Sequence, residues 1–409
     1  MTPLSTRAVL AEHARAGTEV LDGFRGLAIL LVLVYHTWLF SWYTPDVRAF
    51  GVALPFDVVA RTGYLGVELF FFISAFVLFF PIVDRHARGV RQTGVRAFAY
   101  RRFLKIAPSY AIALAATAWS VRSLHVPVAL PFVLAQHALS IQNFFTNNFG
   151  QANSVFWSLG VEVQFYLVFP LLAWTFVRWP LATAFAMVAT ALAYRYGVAP
   201  CCLAIEPVTR QVPAFLDIFA AGMLCAYGVC HLRERPALAS RLRPFAPVVI
   251  VAAVAGLWAL LVSANAITYD TDGRERWILF NRTFLALGIG SLVFASAFAA
   301  NAVRRTIANP VLVYLSLVSY NLYLWHTLVM IWLWKHHAIA SATHDPHGDG
   351  RWKFAFIASG WALSLAISTA ITYFVERPLL ATHAPQNFSF DWRRLTARSP
   401  RVASSETRT

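Results

Sequence analysis

Charge is what this sequence has least of. Of its 409 residues only 13% are Asp, Glu, Lys or Arg, about half the ~25% usual in soluble domains, which excludes a water-soluble globular protein. Acid is scarcer still, with 19 carboxylates against 34 Lys and Arg residues. Cysteine is sparse as well. Cys201, Cys202, Cys225 and Cys230 form no CxxC and have no histidines at zinc-finger spacing, which argues against a disulfide scaffold or structural zinc and leaves buried thiols. No extended polar stretch interrupts the chain between Phe24 and Phe374, so nothing points to a second, soluble domain.

What remains is apolar: 58% of the chain is hydrophobic and 15% aromatic. A helix needs roughly 20 mostly apolar residues to cross a bilayer. Ten stretches qualify, at about 24–43, 63–82, 106–122, 155–177, 180–198, 212–230, 246–264, 278–299, 310–334 and 354–375. The expected fold is therefore all-α, a polytopic membrane protein of about ten spans. Residues 1–20 form an N-terminal segment, 21–380 the membrane domain, and 381–409 a basic disordered tail. The first run contains Arg25 and His36 and lacks a cleavage site, so it reads as a retained helix.

The net charge of +15 sits in short tracts between apolar runs, without a basic face interleaved with aromatics, which argues against nucleic acid as a partner. Its distribution follows topology instead. With both termini cytoplasmic, 22 Lys and Arg residues fall on the inner side, 11 on the outer side, and Arg25 within a span. That two-to-one bias is the positive-inside pattern.

Ionisable groups within spans are costly and mark functional sites by default. Arg25 and His36 lie eleven residues apart on one face of the first span, about 16 Å along the axis. Glu68 and Ser74 lie on the second span. Trp157, Ser158, Glu162 and Gln164 lie on the fourth, and Tyr320, Asn321, Tyr323 and His326 on the ninth. By depth, His36, Glu68, Glu162 and His326 share one outer layer with no close basic partner beyond the histidines, which suggests one polar cavity. Glu162 stands where a carboxylate would orient the His36 ring. His326 reads as a substrate ligand or as a packing hydrogen bonder. Arg101, Arg102 and Lys105, one turn apart at an expected helix start, read either as ordinary positive-inside charge or as a phosphate site. His336, His337, His344 and His347 have no metal-ligand spacing and read as a solvated loop.

Taken in order, LDGFRG with Arg25 and His36, GVELFFFIS, RRFLKIAP ending at Pro108, WSLGVEVQFYL with Glu162, and SYNLYLWH followed by a helix closing on Glu376, Arg377 and Pro378 resemble the acyltransferase 3 family of integral membrane O-acyltransferases. The resemblance covers about Leu21 to Pro378. It implies an acyl-CoA donor, acetyl-CoA being the expected one, with no permanently bound cofactor and no metal. It implies an essential histidine, here His36, acting with Arg25, and donor binding at Arg101 and Arg102. With Lys105 beside them, and Glu162 assigned to the catalytic group, the remaining candidates for substrate contact are Glu68, Ser74, Trp157, Ser158, Tyr320 and His326. The acceptor would be a hydroxyl of a carbohydrate, glycolipid or secondary metabolite, and the setting a bacterial inner membrane. One departure stands out: where the family has Ser-Gly-aromatic, this chain has Ser74, Ala75 and Phe76, and the added methyl is expected to narrow any close backbone approach there. The short stretch after Pro378 reads as the stand-alone form. The rival reading is a transporter using the same polar residues without covalent chemistry.

Overall fold

The computed structural model describes residues 19–45, 47–49, 52–90, 92, 94–123, 129–145, 153–198 and 209–383. The expectations for the first eighteen residues, Cys201, Cys202 and the tail from Gln386 lie outside these described residues.

The chain is almost wholly helical. α1 (Glu19–Ser41) is followed by a small antiparallel ribbon, β1 (Val47–Ala49) with β2 (Val52–Leu54), Val47 opposite Leu54. Then come α2 (Phe56–Thr62), α3 (Gly66–Ala87), α4 (Val95–Ser123), α5 (Leu130–Ala138), α6 (Phe156–Arg178) and α7 (Pro180–Ala193), which runs on into a π-helical turn, Tyr194–Val198. α8 (Leu216–Arg233), α9 (Pro236–Leu242), α10 (Ala246–Ala266), α11 (Thr271–Phe298), α12 (Asn301–Ile307), α13 (Pro310–Lys335) and α14 (Gly350–Ile371) complete the bundle. A π turn at Thr372–Glu376 leads into α15 (Arg377–His383). Among the described residues nine helices are long and apolar enough to cross a membrane, and the protein is an integral membrane protein.

The tenth expected run, 180–198, also crosses the bundle. α6 and α7 turn back on each other at Trp179. At the far end of that run Arg195 reaches Asp217 at 2.7 Å and the Ala214 carbonyl at 3.4 Å. Phe215, in the same segment, stacks on Trp157 at the start of α6, with ring centroids 6.0 Å apart. The run thus returns to the level at which α6 began. Both ends of the described chain consequently lie together. Glu19 pairs with Arg304 at the start of α1, and Leu380 of α15 lines the same cavity as Arg25 of α1 and Arg101 of α4. This end is called the near end below, and the opposite one the far end.

α1 runs through the middle of the molecule, with α13 along one side and α3 along another. Its contact with α13 is unusually close because glycine faces the partner backbone. A Cβ on Gly26 would lie 2.0 Å from the Leu312 carbonyl oxygen, and one on Gly23 would lie 2.1 Å from that of Ile307. Small residues permit such approaches in membrane bundles, where dispersion contact takes the place of the hydrophobic drive between helices.

Two charges counted from sequence as outer-loop arginines are instead buried between helices. Arg282 lies within the expected run 278–299, about three turns into α11, which starts at Thr271, seven residues before that run. Arg282 meets Glu68 of α3 at 3.4 Å and donates to the Thr209 and Ala214 carbonyls, both at 3.2 Å. Its guanidinium also sits 3.8 Å from the centre of the Phe215 ring. Arg195 closes a second set with Asp217 and with Thr283, whose hydroxyl donates to the same Asp217 oxygen at 2.7 Å. Glu68 therefore has a basic partner, contrary to the expectation from depth alone.

Replacing Gly26 with Ala is expected to force α1 away from α13. The overpacking penalty is about 1–3 kcal/mol or more. It should appear as a lower melting temperature and a broadened size-exclusion peak for the detergent-purified protein.

Candidate active site

A cavity of about 380 Å3 opens between α1, α3, α4, α6 and α13, within the ~300–1,000 Å3 range of small-molecule sites. Its mouth is basic. Arg25, Arg101, Arg102 and Lys105 line it beside Leu380, and its inner wall is made by Phe70, Phe71, Ser158, Glu162, Tyr166, Tyr320 and Tyr323. Nε of Arg25 and Nε of Arg102 are buried without a hydrogen-bond partner. Nε of Arg61, Arg195, Arg282 and Arg304 is buried in the same way, so what sets Arg25 and Arg102 apart is their place in the wall of the cavity.

The basic cluster reaches the cavity by a route different from the expected one. α4 begins at Val95, eleven residues before the expected run, because Arg96, Arg101 and Arg102 are accommodated on helix that extends past the apolar stretch. The cations project from the body of the helix, and the helix N-terminus plays no part. Lys105 is also not an unengaged phosphate ligand. It pairs with Glu376, which is 4% exposed and accepts from the Asn321 amide at 3.1 Å. Tyr320 lies beside it and donates to the Ile106 carbonyl at 2.9 Å.

Glu162 belongs to this cavity. Its Oε1 accepts from Ser74 at 3.1 Å and from Tyr166, and it makes no hydrogen bond to His36. The partner that sequence analysis assigned to His36 is replaced by another. His36 and His326 stand ring against ring, with His326 Nε2 at 3.2 Å from His36 Nδ1. Each ring is also tied to its own helix: His36 Nδ1 lies 2.9 Å from the Val32 carbonyl, and His326 Nδ1 lies 2.9 Å from that of Leu322.

These partners set the protons. His326 Nδ1 faces a carbonyl and must donate, so its Nε2 is an acceptor. His36 Nδ1 then faces two acceptors and carries hydrogen, which leaves His36 Nε2 with the lone pair. The arrangement is the one a general base requires: one ring nitrogen anchored, the other basic and available. The packed rings of α1 and α13 depend on the glycine contact described above.

The remaining candidates are placed as follows. Ser158 and Tyr323 share a hydrogen bond of 2.7 Å, and Tyr323 lies between the cavity and His326, with ring centroids 5.9 Å apart. Trp157 points away from the cavity, toward Phe215 and Arg210. The expected single polar layer is thus three separate sets: Glu162 in the cavity, His36 with His326, and Glu68 with Arg282. The methyl of Ala75 does not line the cavity. It lies against α8, 3.0 Å from where a Cβ on Gly222 would stand, so glycine on the neighbouring helix accommodates it. Among the loop histidines, His347 stacks on Trp42 at 4.6 Å and bonds Asp345 at 3.1 Å.

A family profile described as an acyltransferase domain matches residues 19–377. The chain belongs to the acyltransferase 3 family. Among its relatives, a putative O-acetyltransferase of Staphylococcus aureus is 20% identical over 88% of this chain and 56% of its own length. A peptidoglycan O-acetyltransferase of Listeria monocytogenes is 25% identical over 41% of this chain and 26% of its own. A putative peptidoglycan O-acetyltransferase of Bacillus subtilis is also 25% identical, over 37% of this chain and 23% of its own. The chain spans at most about half the length of these relatives. No solved structure matches it at a significant level.

Sequence analysis missed the role of Glu376 as the partner of Lys105 and the buried Arg195 and Arg282. The closing Glu376-Arg377-Pro378 stretch was the signal for the first. A double-mutant cycle tests the pairing. Lys105→Met and Glu376→Met are each expected to destabilise the protein by a few kcal/mol, and the double variant to recover much of the loss, read as melting temperatures in detergent.

Proposed function

We propose that the protein transfers an acyl group, acetyl by analogy with its relatives, from coenzyme A to a hydroxyl of a glycan or glycan-bearing lipid. The observation that carries this reading is a cavity lined at its mouth by Arg25, Arg101 and Arg102 and on its inner wall by Tyr323, which packs beside His326 of the His36–His326 pair. Forked guanidinium donors suit phosphate oxygens, so Arg25, Arg101 and Arg102 hold the nucleotide phosphates and the pantetheine arm enters the cavity. The near end carries most of the chain's basic residues, which supports a cytoplasmic near end by the positive-inside rule, on the side where acyl-CoA is found.

His36 Nε2 removes the acceptor hydroxyl proton as the oxygen attacks the thioester carbonyl. The C–S bond breaks, and the departing thiolate takes the proton back from the imidazolium, which leaves an ester, free thiol and neutral His36. His326 and the Val32 carbonyl hold the Nδ1 hydrogen throughout, so the ring cannot present the wrong nitrogen. Ile29, Phe70 and Tyr323 pack together between Arg25 and His36.

The test is release of coenzyme A from acetyl-CoA by protein in nanodiscs supplied with envelope glycans and lipids. His36→Ala is expected to lose acceptor-dependent release by about 10²- to 10⁴-fold. Equal rates in wild type and variant would refute the reading. His326→Phe keeps an aromatic ring in place but removes one of the two acceptors for Nδ1, leaving the Val32 carbonyl. It is expected to lower kcat by less than His36→Ala while leaving the KM for acetyl-CoA unchanged.

A further inference from the structure

The contact of Gly26 with Leu312 sets the spacing of α1 and α13 near their start, but His326 lies fourteen residues farther along α13, about 21 Å by helical rise. Over that distance the direction of the ring depends on how α13 is rotated, and setting it takes a second restraint close to His326. The structure supplies one from outside both helices. Asn153, in the segment that leads into α6, is buried and reaches α13 with both ends of its amide. Its Nδ2 donates to the Leu324 carbonyl at 3.1 Å, and its Oδ1 accepts from the Thr327 hydroxyl at 2.8 Å. Two residues on, the Val155 carbonyl accepts from Tyr323 at 3.2 Å. All three contacts fall on Tyr323 to Thr327, the turn that carries His326.

The Thr327 bond departs from the habit of other buried threonines in this bundle. The hydroxyls of Thr37, Thr62 and Thr117 donate to the carbonyl four residues back in their own helix, at 2.7, 2.6 and 2.8 Å, as threonine in an apolar helix commonly does. Thr327 is equally buried, yet its bond leaves the helix for Asn153. Asparagine suits this place because its amide donates and accepts at once, so one side chain serves a helix carbonyl and a hydroxyl three residues apart. Leu324 and Thr327 share one face of α13, and His326 stands about 130° round from it. Asn153 therefore holds α13 from a side roughly opposite the one on which His36 meets His326. Turning α13 about its axis carries both bonding groups past Asn153, so the amide resists the rotation that would swing His326 away from His36 Nδ1.

We propose that Asn153 is a positioning residue for the reaction. Through the Leu324–Thr327 turn it sets the angle of the His326 ring, and with it the bond that keeps hydrogen on His36 Nδ1 and the lone pair on Nε2. Asn153 makes no hydrogen bond to either histidine and does not line the donor cavity, so it acts through α13. Tyr323 of the same turn does line that cavity. One short segment thus holds the partner of the base and one wall of the donor site in a single arrangement. The proposal rests on the transferase reading above.

The experiment measures acceptor-dependent release of coenzyme A from acetyl-CoA by the full chain in nanodiscs supplied with envelope glycans and lipids. Asn153→Ala and Thr327→Val, which keeps the side-chain shape but loses the hydroxyl, are each expected to lower kcat about tenfold at a nearly unchanged KM for acetyl-CoA. Thr327→Ser retains the hydroxyl and is expected to stay within about twofold of wild type. The deciding arm combines these changes with His326→Phe. A residue that acts through His326 has little left to act on there, so adding Asn153→Ala is expected to change kcat by less than about twofold, whereas a residue that only stabilises the bundle multiplies the two losses. Melting temperatures in detergent show which variants fold, and Thr327→Val carries the same cycle in place of an Asn153→Ala that does not. Multiplied losses, a raised KM in place of a lowered kcat, or an unchanged kcat in both single variants overturns the positioning role and leaves the transferase reading in place. Absence of acceptor-dependent release by wild type overturns the transferase reading and the positioning role with it.

Discussion

A guanidinium inside an apolar bundle must end on a carboxylate, a carbonyl or a ligand, because in hydrocarbon the unpaired charge is too costly to keep. Much of this structure follows from how each arginine meets that demand. Arg282 joins α11 to Glu68 of α3 and to two carbonyls of the segment leading into α8. Arg195 joins the end of α7 to Asp217 on α8 and, through Thr283, to α11. Both donate to the single Ala214 carbonyl, so four helices are referred to one point of backbone. Such pairs add little net stability, but losing one partner is severe. They act as register pins that fix the depth of one helix against the next.

The same demand separates structure from site. Arg195 and Arg282 end on carboxylates between packed helices, whereas Arg25 and Arg102 line a cavity with room for a ligand. Cations held at the wall of a cavity are preorganised for an anion, since the cost of desolvating them has been met during folding and is not charged again on binding. Lys105 shows the opposite case. It stands in the same cluster but is neutralised by Glu376, and so anchors the final turn of the chain to α4 instead of adding a third open cation.

The legibility of this chain in sequence was uneven for physical reasons. Span positions were clear because the bilayer imposes a length and a composition on each helix. The facing of Arg25 and His36 was clear because both lie on one helix, where angle follows from spacing. What failed was the assignment of carboxylate partners between helices. Depth alone placed Glu162 beside His36, but rotation about the α6 axis gives it to Ser74 and Tyr166 instead. Arg195 and Arg282 lie inside the expected runs 180–198 and 278–299 but near their edges, where a charge reads as loop until the carboxylate that pairs with it from another helix is known. Glu162 and His326 were both visible as intramembrane polar groups, and nothing in a linear chain states which of them meets the His36 ring.

That meeting is decided elsewhere, by the absence of two side chains. Gly26 lets α1 touch the backbone of α13 near its start and Gly23 lets it touch Ile307 at the end of α12, and two helices in contact at one end stay in register along their length. Three to four turns farther on, His36 and His326 arrive 3.2 Å apart. Each ring is also anchored to a carbonyl of its own helix, so the pair can share only one arrangement of hydrogens, with the lone pair on His36 Nε2. A carboxylate in the place of His326 would fix the same tautomer more strongly, but it would bring a charge into the centre of the bundle that needs a further arginine to balance it. A neutral imidazole orients the base without that charge. In a chain with so few carboxylates, the second histidine is the partner that the membrane setting favours.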